Sequence, residues 1–191
     1  MKSFAVLALA VILAPAALAQ QPEKFHLHLD PAVTEVHYTL KDTLHTVKGT
    51  FHLTAGDIVF NSSGDAHGQF TVDTGSGASG NDSRDGKMKR EFLEVTSFPV
   101  ATFAPQKVSG FSPAASSQKI SVTGTMTVHG GSHPMTLEFT VTQEGTLTTA
   151  TTRFAIPYVD WGIKNPSIPF VKVEKEVTMD IVAKGTLAAE K

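Results

Sequence analysis

Residues 119–141 read KISVTGTMTVHGGSHPMTLEFTV. Ile120, Val122, Met126 and Val128 fall on alternate positions, with Gly124 in the same row. After HGGSHP (129–134) the alternation resumes in Met135, Leu137, Phe139 and Val141. A period of two puts one set of side chains on each face of a strand, so each run has one apolar face and one wet face. Two such runs across a short Gly- and Pro-bearing link read as a hairpin.

The same period runs outward in both directions. Phe25, Leu27 and Leu29 alternate with His26 and His28. Val36, Tyr38 and Leu40 form a second row, and Val47, Gly49, Phe51 and Leu53 a third. Phe70 with Val72, Phe154 with Ile156, and Val177, Met179, Ile181 and Ala183 extend the pattern almost to the end of the chain. Asp30-Pro31, NSSGDAHG (61–68) and GFSPAASS (110–117) supply breaks. Eight or more half-buried strands with turns between them predict an all-β, antiparallel sandwich or barrel. Gly49 and Gly124 favour the barrel. Glycine weakens a strand unless it permits a sharp bend or a close approach, and strands coiling around a closed barrel need such positions.

One segment departs from the period. In SRDGKMKREFLEV, Met88 and Phe92 stand four apart, followed by Leu93 and Val95. Asn81, Asp82 or Ser83 can cap a helix there, so a short amphipathic helix of about ten residues near 84–94 is expected to lie on the barrel or plug one end.

Composition narrows the function. The chain has 191 residues, no Cys and a net charge of −2, which becomes −3 without Lys2. The absence of Cys excludes disulfides, thiol nucleophiles and thiolate metal sites. No basic patch of the kind a phosphate backbone needs is present, so nucleic acid is not an expected partner. Residues 1–19, MKSFAVLALAVILAPAALA, carry Lys2, an apolar run and Ala17-Leu18-Ala19. That is the pattern of a secretory signal peptide, with cleavage expected after Ala19. The apolar run from Phe4 to Ala14 is too short to span a bilayer, so no integral membrane anchor is expected. The remaining residues, 20–191, suit one domain. A periplasmic or secreted location follows.

Asp73-Thr74-Gly75-Ser76 raises a different possibility, because an apolar pair followed by D-T-G-S is what an aspartic protease loop looks like. Such a loop works only when two Asp carboxylates share a proton. The chain has no second D-T-G or D-S-G, so the activity would require a homodimer through Asp73. The alternative is a strand end, with Asp73 facing out and 75–80 turning the chain toward the helix. Neither G-x-S-x-G nor the G-x-x-x-x-G-K-[ST] phosphate-cradling loop occurs in the sequence.

Four stretches, in order, carry a family resemblance: HLDPAVTEVHYTL, VKGTF, VDTGSG…RDGKMKREFLEVTSFPVATF and ISVTGTMTVHGGSHPMTLEF. Across residues 26–185 the chain resembles the YceI family of secreted polyisoprenoid-binding proteins. The resemblance implies a lipocalin-like β-barrel of about eight strands and a lipid ligand, with no cofactor and no catalysis. The chain departs from the plainest members at 75–80 and at PYVDWGIKNPSIPF (157–170).

From the residues alone, the inward faces suit either a solid core or an apolar tunnel. The resemblance implies the tunnel. Its expected wall is Phe51, Phe70, Val72, Phe103, Val122, Met126, Leu137, Phe139, Phe154 and Ile156, with Phe92 and Leu93 of the helix capping one end. Tyr158 and Trp161 are expected at the rim. Lys175, alone on an apolar row with Val171, Val173 and Val177, either meets a ligand phosphate at the mouth or turns outward on a bulge.

His26 and His28 share an outward face, and two His at i, i+2 can chelate a metal, with His37 as a cross-strand third ligand. Outward histidines on a wet sheet face are ordinarily just solvated, and no metal centre is expected. The function expected is therefore a binding protein for a polyisoprenoid or other long-chain lipid, either a prenylquinone or a prenyl phosphate. The alternatives are the Asp73 homodimeric protease and a lipid-free secreted stress or scaffold protein. Homodimerisation stays open.

Overall fold

Among the described residues, nine strands make eight staves. The computed structural model describes residues 23–190, so the expected leader, 1–19, and its expected cleavage site lie outside the described residues. The strands are β1 Lys24–Leu29, β2 Glu35–Lys41, β3 Thr46–Asn61, β4 Ala66–Ala78, β5 Val100–Ser109, β6 Ser117–Val128, β7 Gly131–Glu144, β8 Leu147–Ile156 and β9 Val177–Glu190. All neighbours are antiparallel, and β3–β4, β1–β9 and β2–β9 pairings close the sheet on itself. β1 pairs with the last part of β3 and the last part of β9, whereas β2 pairs with the first part of each. The two short strands therefore run in the same direction, end to end, in one position of the barrel. Asp30-Pro31 is a break in that stave, not a hairpin.

The alternation dictates the packing. Val122, Met126, Val128, Leu137 and Val141 from the opening stretch are buried, as are Phe103, Ile156, Met179 and Ile181 from the staves around them. The β6–β7 hairpin is tighter than HGGSHP implied. Val128 pairs with Gly131, leaving only His129 and Gly130 in the turn, while 131–134 belong to β7. Both turn residues have positive φ, 50° and 77°, the requirement of the two-residue turn whose twist matches its strands. His129 is held in this unusual conformation by a 3.0 Å bond to Glu94 and by a tilted ring contact with Phe98.

Gly49 and Gly124 are there for close approach. A Cβ on Gly49 would sit 2.5 Å from the Tyr38 ring, which lies across it from the facing residue of β2. A Cβ on Gly124 would lie 2.8 Å from the Phe103 ring and would also strike the Ala104 carbonyl, next to a bulge in β5.

The helical segment has about the expected length but starts two residues earlier and is less regular than the sequence predicts. α1 covers Asp82–Lys87, capped by Asn81, whose side chain accepts from the Arg84 amide. It continues as a π-helical turn, Met88–Phe92, in which the Leu93 amide reaches back to the Met88 carbonyl. The segment then ends at Glu94, with φ of 48°. Asp85 fastens this lid. Its buried carboxylate accepts from the Ser79 amide at 2.9 Å and from the Ser79 hydroxyl, while Arg84 also holds Ser79 through its side chain. Burial pushes the Asp85 carboxyl up, but the Ser79 hydrogen bonds and the Arg84 charge outweigh it and leave it below the usual range.

β4 corrects the reading of D-T-G-S as a strand end, since it runs on to Ala78. The ladder to β3 is interrupted between Asp73 and Ala78, and the irregular stretch is internally tied. The Gly75 amide donates to the Asp73 carboxylate at 2.7 Å, the Ser76 hydroxyl to the Asp73 carbonyl at 2.6 Å, and the His52 amide to Ser76 Oγ at 2.8 Å. Thr74 points inward and donates its hydroxyl to the Phe98 carbonyl. The Asp73 carboxylate thus serves its own bulge.

Candidate functional site

The barrel interior is not filled by its side chains. A cavity of about 730 Å³ runs through it, lined by residues from all eight staves and from the helix. That volume lies within the range of small-molecule sites, about 300–1,000 Å³. Every expected wall residue lines it: Phe51, Phe70, Val72, Phe103, Val122, Met126, Leu137, Phe139, Phe154 and Ile156, with Phe92 and Leu93 from the lid.

The two ends differ. At the far end, where β3, β5, β7 and β9 finish, Phe25, Phe60 and Phe111 pack ring to ring with centroids 4.9–5.3 Å apart. Phe60 and Phe111 face the cavity, and Phe111 comes from the β5–β6 loop, which the sequence offered only as a turn. At the near end, α1, the β2–β3 turn and the 157–176 segment surround the cavity. The exposed lining residues are here: Lys41, Asn81, Ser83, Arg84, Lys87, Lys164 and Ile168. The mouth is therefore at the near end, and it is rich in cations. Lys87 and Lys164 each sit beside a carboxylate, Glu91 at 3.9 Å and Glu94 at 3.8 Å, both pairs exposed.

The expected rim residues part company. Tyr158 does line the cavity, but it is buried, and its hydroxyl donates to the Glu174 carbonyl at 2.7 Å. Burial pushes its phenol pKa up. Together with Asn165, which bonds Tyr158 Oη and the Val173 carbonyl, it ties the two limbs of the 157–176 segment together. Trp161 is not part of the lining. It stacks on His133, also off the lining, with centroids 3.9 Å apart and planes 1° off parallel. Lys175 is exposed and also off the cavity. The alternation that singled it out runs through irregular chain preceding β9, so it implies no shared face. The cations at the mouth are instead Lys41, Arg84, Lys87 and Lys164, which no local pattern marks. Polar groups also reach the interior unannounced: Thr148 faces the cavity with a buried hydroxyl that has no partner among the described residues.

The histidine pair has a different neighbour from the one expected. His28 Nδ1 lies 2.7 Å from the Asp57 carboxylate and His26 Nε2 3.4 Å from it. The His28 hydrogen bond is the main pull that holds Asp57 below the usual carboxylate range. His37 pairs with Glu35 instead, at 3.1 Å. Among the described residues no group of three His, Cys, Asp or Glu has the arrangement to hold a metal ion. No helix among them is long and apolar enough to cross a membrane.

A closed eight-stave barrel with an apolar cavity and a helical lid narrows the family sharply, and the model of the YceI-like domain matches residues 27–184. The chain belongs to the YceI-like family. Among solved structures, the YceI-like chain is similar to BcnA of Burkholderia cenocepacia, with a TM-score of 0.66 at 20% identity over 84% of this chain and 99% of that one. It is similar to a polyisoprenoid binding domain from Saccharophagus degradans, implicated in plant cell wall breakdown, with a TM-score of 0.63 at 17% identity over 85% and 98%. A Campylobacter jejuni YceI protein aligns with a TM-score of 0.52 at 15% identity over 100% and 99%. At these identities the likeness speaks to the fold. No curated protein matches the sequence.

Proposed function

We propose that this YceI-like chain is a non-catalytic holder of a polyisoprenoid lipid, exported to the periplasm behind the leader at residues 1–19. The tail occupies the barrel, and the polar head stays at the near-end mouth. The observation that carries this reading is the continuous apolar cavity of about 730 Å³. A liquid-water molecule takes about 30 Å³, so the space holds roughly two dozen carbon-sized groups, on the order of five isoprene units. Each CH₂ removed from water contributes about 0.8 kcal/mol, and immobilising a floppy chain returns part of that gain. Likeness to the Saccharophagus polyisoprenoid binding domain supports the same ligand class. Four cations at the mouth favour an anionic head, hence a prenyl phosphate over a prenylquinone.

Mass spectrometry of the organic extract of purified protein tests the reading. A prenyl lipid in near-stoichiometric amount is the expected result. Protein that emerges lipid-free and takes up no prenyl phosphate from detergent would leave only a secreted shell.

A further inference from the structure

The mouth carries apolar side chains that the fold itself does not use. Phe170 is 96% exposed, Leu44 66% and Ile168 55%. They come from two chain segments tied side by side. The Thr43 amide donates to the Lys172 carbonyl at 3.0 Å, the Glu174 amide to the Lys41 carbonyl at 2.9 Å, and Asp42 bridges Val173. Ile168 and Val171 exchange both backbone hydrogen bonds at 3.1 Å, closing a two-residue turn of Pro169 and Phe170. Asp42 accepts from the Leu44 and His45 amides, both at 2.7 Å, and so fixes the other tip. These are stiff projections.

Phe170 sits at φ of 71°. A turn with Pro first and positive φ second calls for Gly at that second position, and a bulky residue there is strained. The strain yields no packing within the chain, because the ring is in solvent. Strain kept without internal return points to an external partner. The charges nearby say which. Lys41 and Lys172 flank the tips and, among the described residues, neither has a carboxylate within ion-pair distance. Arg84, Lys87 and Lys164 stand around the same opening. The nearest carboxylate on the turn, Asp42, is directed at its own backbone amides, and Glu174 is exposed beyond it.

We propose that the near end is a membrane-docking surface. Phe170, Ile168 and Leu44 enter the interfacial layer of an anionic bilayer, and the lysines and Arg84 meet its headgroup phosphates. Apolar side chains backed by cations bind such a surface by both terms at once. The inference rests on the lipid-holding reading, since it sets the cavity mouth against the bilayer so that a tail passes between the two without crossing water.

Co-sedimentation of the purified chain with vesicles tests it, using phosphatidylcholine alone and phosphatidylcholine mixed with phosphatidylglycerol. Phe170→Gly is the informative variant, because it removes the ring and relieves the backbone together. The wild type is expected to bind the mixed vesicles and to lose binding as salt rises. The variant is expected to bind about tenfold more weakly, the loss of a large part of one buried aromatic, with a melting temperature equal or higher. Prenyl phosphate loading from detergent is expected to be unchanged in the variant, while transfer from vesicles slows. Wild-type protein that ignores both vesicle types, or a variant that binds as well as the wild type, overturns the docking surface. Failure to load from detergent strikes the lipid-holding reading instead, and vesicle binding remains readable independently.

Discussion

Ala101→Leu separates a cavity from a core by sign. Ala101 faces the cavity from β5, opposite Val72 of β4. Leucine adds three carbons, each worth about 0.8 kcal/mol when removed from water. In a space already open, those carbons find room, and the empty protein gains up to about 2 kcal/mol. For a domain of this size 1 kcal/mol shifts the melting temperature by roughly 2–4 °C, so the expected rise is a few degrees. The same carbons displace an equal length of tail, which weakens lipid binding by about 2 kcal/mol, or roughly thirtyfold. Differential scanning fluorimetry on delipidated protein and titration with a fluorescent prenyl analogue read the two effects. In a packed interior the added volume costs about 1–3 kcal/mol instead. A lower melting temperature with undiminished prenyl affinity would therefore refute both the void and its use.

Further substitutions probe the frame around the cavity. Gly124→Ala drives a Cβ against the Phe103 ring and the Ala104 carbonyl; an overpacking cost of about 1–3 kcal/mol is expected, read as a lowered melting temperature in the delipidated protein. Asp85→Asn removes charge from the bonds that fasten α1, at about 1–2 kcal/mol, and hydrogen exchange across 82–92 is expected to quicken. Because the Asp85 carboxyl is held below its ordinary 3.8, its contribution is complete above the unfolded value and disappears as pH falls through the folded one. Melting curves of wild type and Asp85→Asn are therefore expected to differ at neutral pH and to converge well below pH 4. Asp73→Asn keeps an oxygen for the Gly75 amide and is expected to alter stability by less than about 1 kcal/mol, with no pepstatin-sensitive peptidase activity in either form; such activity in wild type alone would revive the protease.

The walls of the cavity were legible because they obey a local rule. Alternation in 119–141 and its neighbours assigns each side chain a face before any partner strand is known, and the wall residues inherit their position from it. Gly49 and Gly124 were legible for the same reason, as gaps in an apolar row. The length of β3 was not. Past Leu53 the inward row slips by one residue, because the pairing to β4 shifts register between Leu53 and Ala55, and it resumes as Gly56 (packed on Leu29), Ile58 and Phe60. Lys175 shows the converse error, a period of two in chain that is not a strand. The mouth cations come from the end of β2, from α1 and from the 157–176 segment, and only barrel closure brings them together. Their signal was available in principle: once the strand order is known, the ends of β2, β4, β6 and β8 share one rim. Asp57 escaped for a related reason, since its position opposite His28 depends on which strand lies next to β1.

The split stave has a kinetic consequence. β1 and β2 have contacts with β3 that a growing chain can make early, but each is completed only by β9, more than a hundred residues further on. Until that strand arrives, the sheet has two free margins and no interior. Closure is thus the last and most non-local step, of the kind that takes milliseconds to seconds in β proteins. Until β9 docks, the chain has no enclosed space in which to hold a guest.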